Sequence, residues 1–306
     1  MYLLPAKQAV GLILVPVSLI GVIINWTIVI TIQRGKQMRH PFGCLTYLQS
    51  LADALFSSLF LFYVVPMIVL DSYFLKSNSS QCGFLLMIFY DISLQTHFLI
   101  SCNRFIAVYS PFAYKTIFNN KGTRVIIVIS VISSISVSIL VFKILGCEVA
   151  YLDDYWMFFY DETTICNTYS WVGDYGKNFG LTVVDVLIDL MTIYKVHRVN
   201  REIASAVATT TRIEHRKREI DFLKQTCTQG FFLLFGLTFY FVFSQFVENQ
   251  LVAFMMTTFV WIAVHSFDGV FTLIYNTEIR QNIWGIKKIY EASTSGMVTN
   301  SERFIR

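Results

Sequence analysis

The sequence predicts an all-α membrane protein, a bundle of seven transmembrane helices, on three observations. Charged residues make up only 14% of the chain against 55% hydrophobic, with a mean hydropathy of +0.57. A soluble domain carries about 25% charged residues, which it needs to cover its surface. The apolar residues come in long blocks, without the alternation that a membrane β-barrel requires. Seven of these blocks approach the roughly 20 residues that cross a bilayer as a helix. The same composition excludes a disordered chain, and six cysteines in 306 residues are too sparse for a disulfide framework.

In chain order, Ala9 to Ile32 holds no charged residue, Phe42 to Leu70 holds only Asp53, and Gln81 to Asn103 holds only Asp91. Val125 to Phe142 has none, while the fifth block, Asn178 to Tyr194, is the weakest because it carries Asp185 and Asp189. Gln225 to Val247 has none, and Asn249 to Thr277 has only Asp268. These blocks place spans near 9–32, 44–70, 81–104, 125–145, 178–198, 225–247 and 250–276. All fall in one transmembrane domain over 1–291, with a tail at 292–306. From Glu278 to Ala292, Ile279, Ile283, Ile286 and Tyr290 share one helical face, the pattern of a short amphipathic helix lying in the membrane interface at 278–291. The first block is too long for a cleaved signal peptide, and only Lys7 precedes it.

Seven spans put the termini on opposite sides, and basic residues decide the orientation. Lys7, Lys76, Lys143 and Lys177 fall on one side, and the other twenty of the 24 lysines and arginines fall on the opposite side, including the run Arg216, Lys217 and Arg218. The N-terminus is therefore outside and the tail cytosolic. Asn78-Ser79-Ser80, a glycosylation acceptor pattern, then lies outside. So does the acidic loop from Gly146 to Lys177, with Asp153, Asp154, Asp161, Glu162 and Asp174.

No phosphate-cradling glycine loop, His-Glu-x-x-His pattern or nucleophile elbow occurs. The five histidines are scattered singly. No catalytic residue, enzyme activity or metal site is expected. The informative residues are the ionisable ones inside the spans, since each is costly to bury and usually faces the bundle interior. Asp53 can join Asn25 and Asp268 in a polar cluster, either around water or a sodium ion or simply as interhelical hydrogen bonds. Asp91, Asp185, Asp189 and His265 either line a ligand cavity or serve packing. Tyr240, Phe243 and Trp261 read as core or lipid-facing aromatics.

Several motifs resemble those of rhodopsin-like G-protein-coupled receptors. They are Gly21 and Asn25 in the first span, Leu51-Ala52-Asp53 in the second, Asn103-Arg104-Phe105 followed by Ser110-Pro111-Phe112 after the third, and Asp268-Gly269-Val270-Phe271-Thr272 at the end of the seventh. The departures are Asn103 for the usual acid, Gly269 for the proline and Thr272 for the tyrosine. Together with His265 and Asn276-Thr277-Glu278, the combination resembles the nematode serpentine chemoreceptors, class x in particular, over nearly the whole chain. The resemblance implies an external ligand, small molecule or peptide, and a heterotrimeric G protein on the cytosolic face. It implies coupling and activation roles for Asn103, Arg104, Phe105, Asp268 and Asn276. It implies a bridge from Cys82 to Cys166, with Cys147 as the alternative, and a plasma-membrane site, in the sensory cilium. A transporter or channel is the other class of function considered, and the absence of an internal repeat counts against it.

Overall fold

The computed structural model describes residues 6–35, 37–204 and 210–283, and the side chains of these residues outside 200–219. The side chains of Arg216, Lys217 and Arg218, most of the helix expected at 278–291 and the tail lie outside what is described. Seven long helices form a bundle: α1 (Ala6–Arg34), α2 (Pro41–Val69), α3 (Ser79–Tyr109), α4 (Asn120–Ile144), α5 (Lys177–Ala204), α6 (Thr210–Phe241) and α7 (Gln250–Tyr275), followed by the short α8 (Thr277–Ile283). Among the described residues six of them are long and apolar enough to cross a membrane. The exception, α5, carries Asp185 and Asp189, each no more than 1% exposed.

Local chemistry explains where the helices start and bend. Pro41 opens α2 at the first turn, where its missing N–H costs nothing. The Asn119 side chain caps α4 and that of Asn249 caps α7, each accepting two backbone N–H bonds. A π-helical turn at Phe60–Val64 directly precedes Pro66, which removes a ladder hydrogen bond that a wider turn can absorb. Hydroxyls inside the spans return their protons to the preceding turn, as from Ser18 to the Leu14 carbonyl (2.7 Å) and from Thr257 to the Ala253 carbonyl (2.7 Å). Such bonds satisfy hydroxyl donors within their own helix, where no water is at hand.

The bundle is polar inside and apolar outside. In α4, Val125, Val128, Ile129 and Ile132 are exposed while Ser130, Ser134 and Ser138, spaced by four, are buried. That inverted amphipathy is expected where lipid is the solvent and small residues let helices approach. Helix α3 is central, packing against α2, α4, α5 and α6, while α7 packs against α1, α2 and α6.

Between α4 and α5 a hairpin of β1 (Val149–Leu152) and β2 (Met157–Tyr160), with Val149 opposite Tyr160, folds onto the outer end of the bundle. Val149, Tyr151, Phe158 and Tyr160 point inward, as alternation requires. Gly83 makes this seating possible, because a β-carbon there would stand 1.9 Å from the Val149 carbonyl oxygen. At the hairpin tip Trp156 adopts a left-handed backbone (φ 54°) and is held by a hydrogen bond from Thr258 to its carbonyl (3.0 Å).

The bridge expected between Cys82 and Cys166 does not form; Cys147 pairs with Cys166 instead. The reason is the hairpin itself. Cys147 lies just before β1 and Cys166 just after β2, so antiparallel pairing brings their Cα atoms to 5.1 Å. Cys82 stays a free thiol, 3% exposed in the apolar core at the start of α3.

Candidate functional site

The polar and aromatic residues of the bundle form three levels. The outermost is a cavity of about 40 Å³ beneath the hairpin, lined among others by Tyr90, Tyr160, Asp174, Tyr240, Trp261 and His265. The hairpin is fastened over it by Tyr240, whose hydroxyl donates to the Phe158 carbonyl. Tyr240 and Trp261, read from sequence as core or lipid-facing, therefore face the cavity, whereas Phe243 is half-exposed. Asp174 is 4% exposed and accepts hydrogen bonds from Tyr160 (3.0 Å) and Asn178 (2.7 Å). It lies outside the spans, and burial followed by the nearby charge of Asp91 pushes its carboxyl up to about 7. Asp91 itself is buried and held by the Lys177 ammonium at 3.2 Å.

The middle level is a seam of buried polar side chains. Asp53 Oδ1 accepts from the Ser93 hydroxyl (2.7 Å) and meets His265 Nδ1 at 2.8 Å. Asn25 donates to the His265 carbonyl (3.2 Å), and its own Oδ1 abuts α7 at Gly269, where a β-carbon would come within 2.4 Å. Gly269 in place of a proline is thus what lets Asn25 dock. Asp268 accepts from Gln49 (3.4 Å), and its carbonyl accepts from Gln229 (3.0 Å). Gln225 and Gln229 both donate to Thr272. A second pair, His97 Nδ1 with Asp185 Oδ2 at 2.6 Å, ties α3 to α5. The Nε2 atoms of His97 and His265 have no hydrogen-bond partner, and both rings line a small cavity of about 10 Å³ with Ser93 and Asp268.

Asn25 and Asp53 thus meet at His265, while Asp268 lines the same small inner cavity as His265 and is bonded instead to Gln49 and Gln229. Asp185 is paired away from the outer cavity, and Asp91 stands beside it against Lys177. The polar cluster read from the sequence also allowed a sodium ion near Asp53. The residues do not fit one: an imidazole nitrogen already stands on the Asp53 oxygen, while a hard cation seeks an oxygen shell. Sequence reasoning missed His97, Gln225 and Gln229; the signal available was two glutamines one helical turn apart inside an apolar span.

The innermost level is a cytosolic cavity of about 300 Å³ lined by Arg104, His40, Thr46, Phe222, Asn276 and Glu278, among others. The Arg104 guanidinium lies over the rings of Phe42 (3.8 Å) and Phe222 (4.6 Å), which are themselves 4.7 Å apart. Asn103 is turned inward, 1% exposed, and its amide nitrogen has no hydrogen-bond partner. Phe105 stacks on Tyr109 at 4.4 Å. Asn276 accepts from the Ile279 N–H (3.1 Å), starting α8, and Arg280 donates to the Leu273 carbonyl (3.0 Å), closing the end of α7. At the outer surface, Asn78 donates to the Phe74 carbonyl (2.8 Å) and Ser80 to Glu148.

Comparisons with known proteins agree with this arrangement. The bundle is similar to squid rhodopsin, with a TM-score of 0.73 and 15% identity over 92% of this chain and 86% of that one. At that identity the likeness speaks for the fold, a seven-transmembrane receptor bundle. Two Caenorhabditis elegans proteins are similar in sequence. Serpentine receptor class X 45 is 33% identical over 285 residues, covering 86% of this chain and 77% of the relative, and Serpentine receptor class X-43 is 23% identical over 281 residues, covering 89% and 85%. Residues 15–276 match the family described as serpentine type 7TM GPCR chemoreceptor Srx. The chain therefore belongs to the Srx family of serpentine G-protein-coupled chemoreceptors, multi-pass membrane proteins, and the transporter or channel reading is not favoured.

Proposed function

We propose that an external ligand occupies the cavity under the hairpin and that its binding reaches a cytosolic G protein through the buried polar seam. One observation carries this reading: His265 lines the outer cavity and is bonded to Asp53. Asp268 stands beside His265 on the inner cavity, and from it hydrogen bonds continue through Gln229, Thr272 and Gln225 on α7 and α6. Phe222, one turn further along α6, touches Arg104. A ligand that binds one arrangement of His265 better shifts the whole population toward it.

At the cytosolic end, the two phenylalanines hold Arg104 in place of the absent acid at Asn103. When α6 moves outward, Phe222 leaves, and the guanidinium is released to bond carbonyls of an inserted G-protein segment. Asn276 sets the α7–α8 corner that borders the same cavity. The protein acts in the plasma membrane of a sensory cilium, with Asn78 glycosylated on the outer face.

Cells expressing the full chain and a G-protein dissociation sensor are challenged with odorants and peptides, with ion currents and tracer uptake recorded in parallel. A ligand-dependent sensor response without current or uptake is expected. Ligand-driven current or uptake with a silent sensor would overturn the reading.

A further inference from the structure

We propose that the outer cavity takes a small organic ammonium ion, with Asp174 as its counter-ion and tyrosine and tryptophan side chains as its walls. The inference deepens the receptor reading above and rests on it for the location of the ligand.

The charge balance around the cavity is the first argument. Two buried acids, Asp91 and Asp174, flank its outer side, and Lys177 acts on both. The Lys177 ammonium is bound to Asp91 at 3.2 Å. Asp174 has only neutral donors, the Tyr160 hydroxyl and the Asn178 amide. One carboxylate is thus in excess in an enclosed site, and a buried charge is stable only when paired. His265, the imidazole on the lining, is already committed to Asp53.

The walls are the second argument. Tyr90 and Tyr240 both lie against Trp261, with ring centroids 6.2 Å and 6.1 Å from it, and Tyr160 closes the same space from β2. Aromatic rings attract cations through their quadrupoles, the more strongly the drier the site. A cage of this kind with one buried carboxylate recognises a small alkylated or aryl-alkyl ammonium, and its mostly apolar lining with one convergent acid is the usual make-up of a small-molecule site. An anionic ligand would meet Asp174 and the phenolic oxygens.

A pH signature follows. With Asp174 pushed up to about 7, the empty site is partly protonated at neutral pH and the bound ammonium favours the carboxylate. Binding then expels a proton, and affinity falls about tenfold per pH unit below 7. The groups facing Asp174 are Asp91, Lys177, Tyr90, Tyr160, Tyr169 and Tyr240. Burial raises the phenols of Tyr160 and Tyr169 in the outer loop, so these two stay protonated throughout this range.

The test uses the purified full-length receptor, titrated with 2-phenylethylammonium, with tetramethylammonium and with the neutral isostere 2-phenylethanol, following thermal stabilisation at pH 6 and pH 8. An ammonium should bind at least about tenfold more tightly than 2-phenylethanol at pH 8 and weaken at pH 6. Asp174→Asn should lose at least tenfold and Asp174→Glu should retain most of the affinity. No stabilisation by either ammonium, equal binding of the alcohol, or unchanged binding by a folded Asp174→Asn overturns the proposal. If Asp174→Asn does not fold, the pH dependence of the wild type decides in its place. The sensor assay separates the two readings. Ammonium binding with no G-protein response refutes the receptor reading alone, and a G-protein response to neutral compounds only refutes the ammonium alone.

Discussion

Replacing Phe222 by leucine should raise ligand-independent signalling. Arg104 is held by two rings, at 3.8 Å and 4.6 Å, both within the roughly 6 Å at which cation–π attraction operates. Exposed examples are worth about 0.5–1 kcal/mol and desolvated ones about 2, and this site, half-buried, falls near 1 kcal/mol per ring. Leucine keeps the apolar bulk between α2 and α6 and removes only the ring. Because 1.4 kcal/mol is a factor of ten, losing one ring shifts the resting equilibrium about fivefold, and Phe42→Leu together with Phe222→Leu shifts it about 25-fold. From a resting active population of about 1%, the single change predicts about 5% and the double about 20%. The assay is basal G-protein activation per receptor at the cell surface. Unchanged or reduced basal activity in both variants at wild-type surface density would refute the idea that the rings hold Arg104 in the resting state.

Three further outcomes are expected. Cys147→Ser and Cys166→Ser should each reduce thermal stability equally, with the double change no worse, while Cys82→Ser leaves the bridge intact by mass spectrometry. Closing a loop of 19 residues contributes about 3 kcal/mol in the chain-entropy view. Gly269→Ala should lower surface expression through an overpacking cost of about 1–3 kcal/mol, and Asn25→Ala in the same chain should restore part of it, because the new methyl meets Asn25 Oδ1. On the outer surface, hydrogen bonds from Lys7 and Lys76 hold the Asp71 carboxyl down near 2. A carboxylate lowered in the folded state stabilises above its ordinary value near 4 and loses that contribution as pH falls through 2. The melting-temperature difference between wild type and Lys7→Gln should therefore be flat from pH 7 to 5 and vanish near pH 2; a difference that persists there would exclude the ion pair as its source.

The fold was legible because lipid imposes a simple code. Long apolar blocks must be helices, and the block most interrupted by charge, the fifth, is the one helix whose composition does not announce a span. Its acids become intelligible only with partners: Asp185 is matched by His97 from α3, a pairing fixed by how two helices are rotated against each other. Asn25, Asp53 and Asp268 stood out because each is rare at its depth, but His265 could equally have faced a ligand. The structure gives it both tasks, on the cavity and on Asp53. The bridge was misread for a different reason. The resemblance supplied a partner at the start of α3, whereas two short apolar runs, Val149–Leu152 and Met157–Tyr160, on either side of Asp153-Asp154 and flanked by Cys147 and Cys166, were a local hairpin signal that closes itself. Tyr240 and Trp261 show the limit of composition: an aromatic residue in a span is indistinguishable as wall, core or lipid anchor until the hairpin is placed above it.

The central claim, that occupancy of the outer cavity is read at Arg104, is tested most directly by nucleotide exchange on purified heterotrimeric G protein. The receptor is reconstituted in nanodiscs with the small molecule that stabilises it most. The account predicts that this ligand accelerates exchange on wild-type receptor, and that Arg104→Ala removes the acceleration while binding the ligand within about threefold of wild type. Exchange that proceeds normally in Arg104→Ala, or ligand binding that leaves exchange unchanged in the wild type, would contradict it.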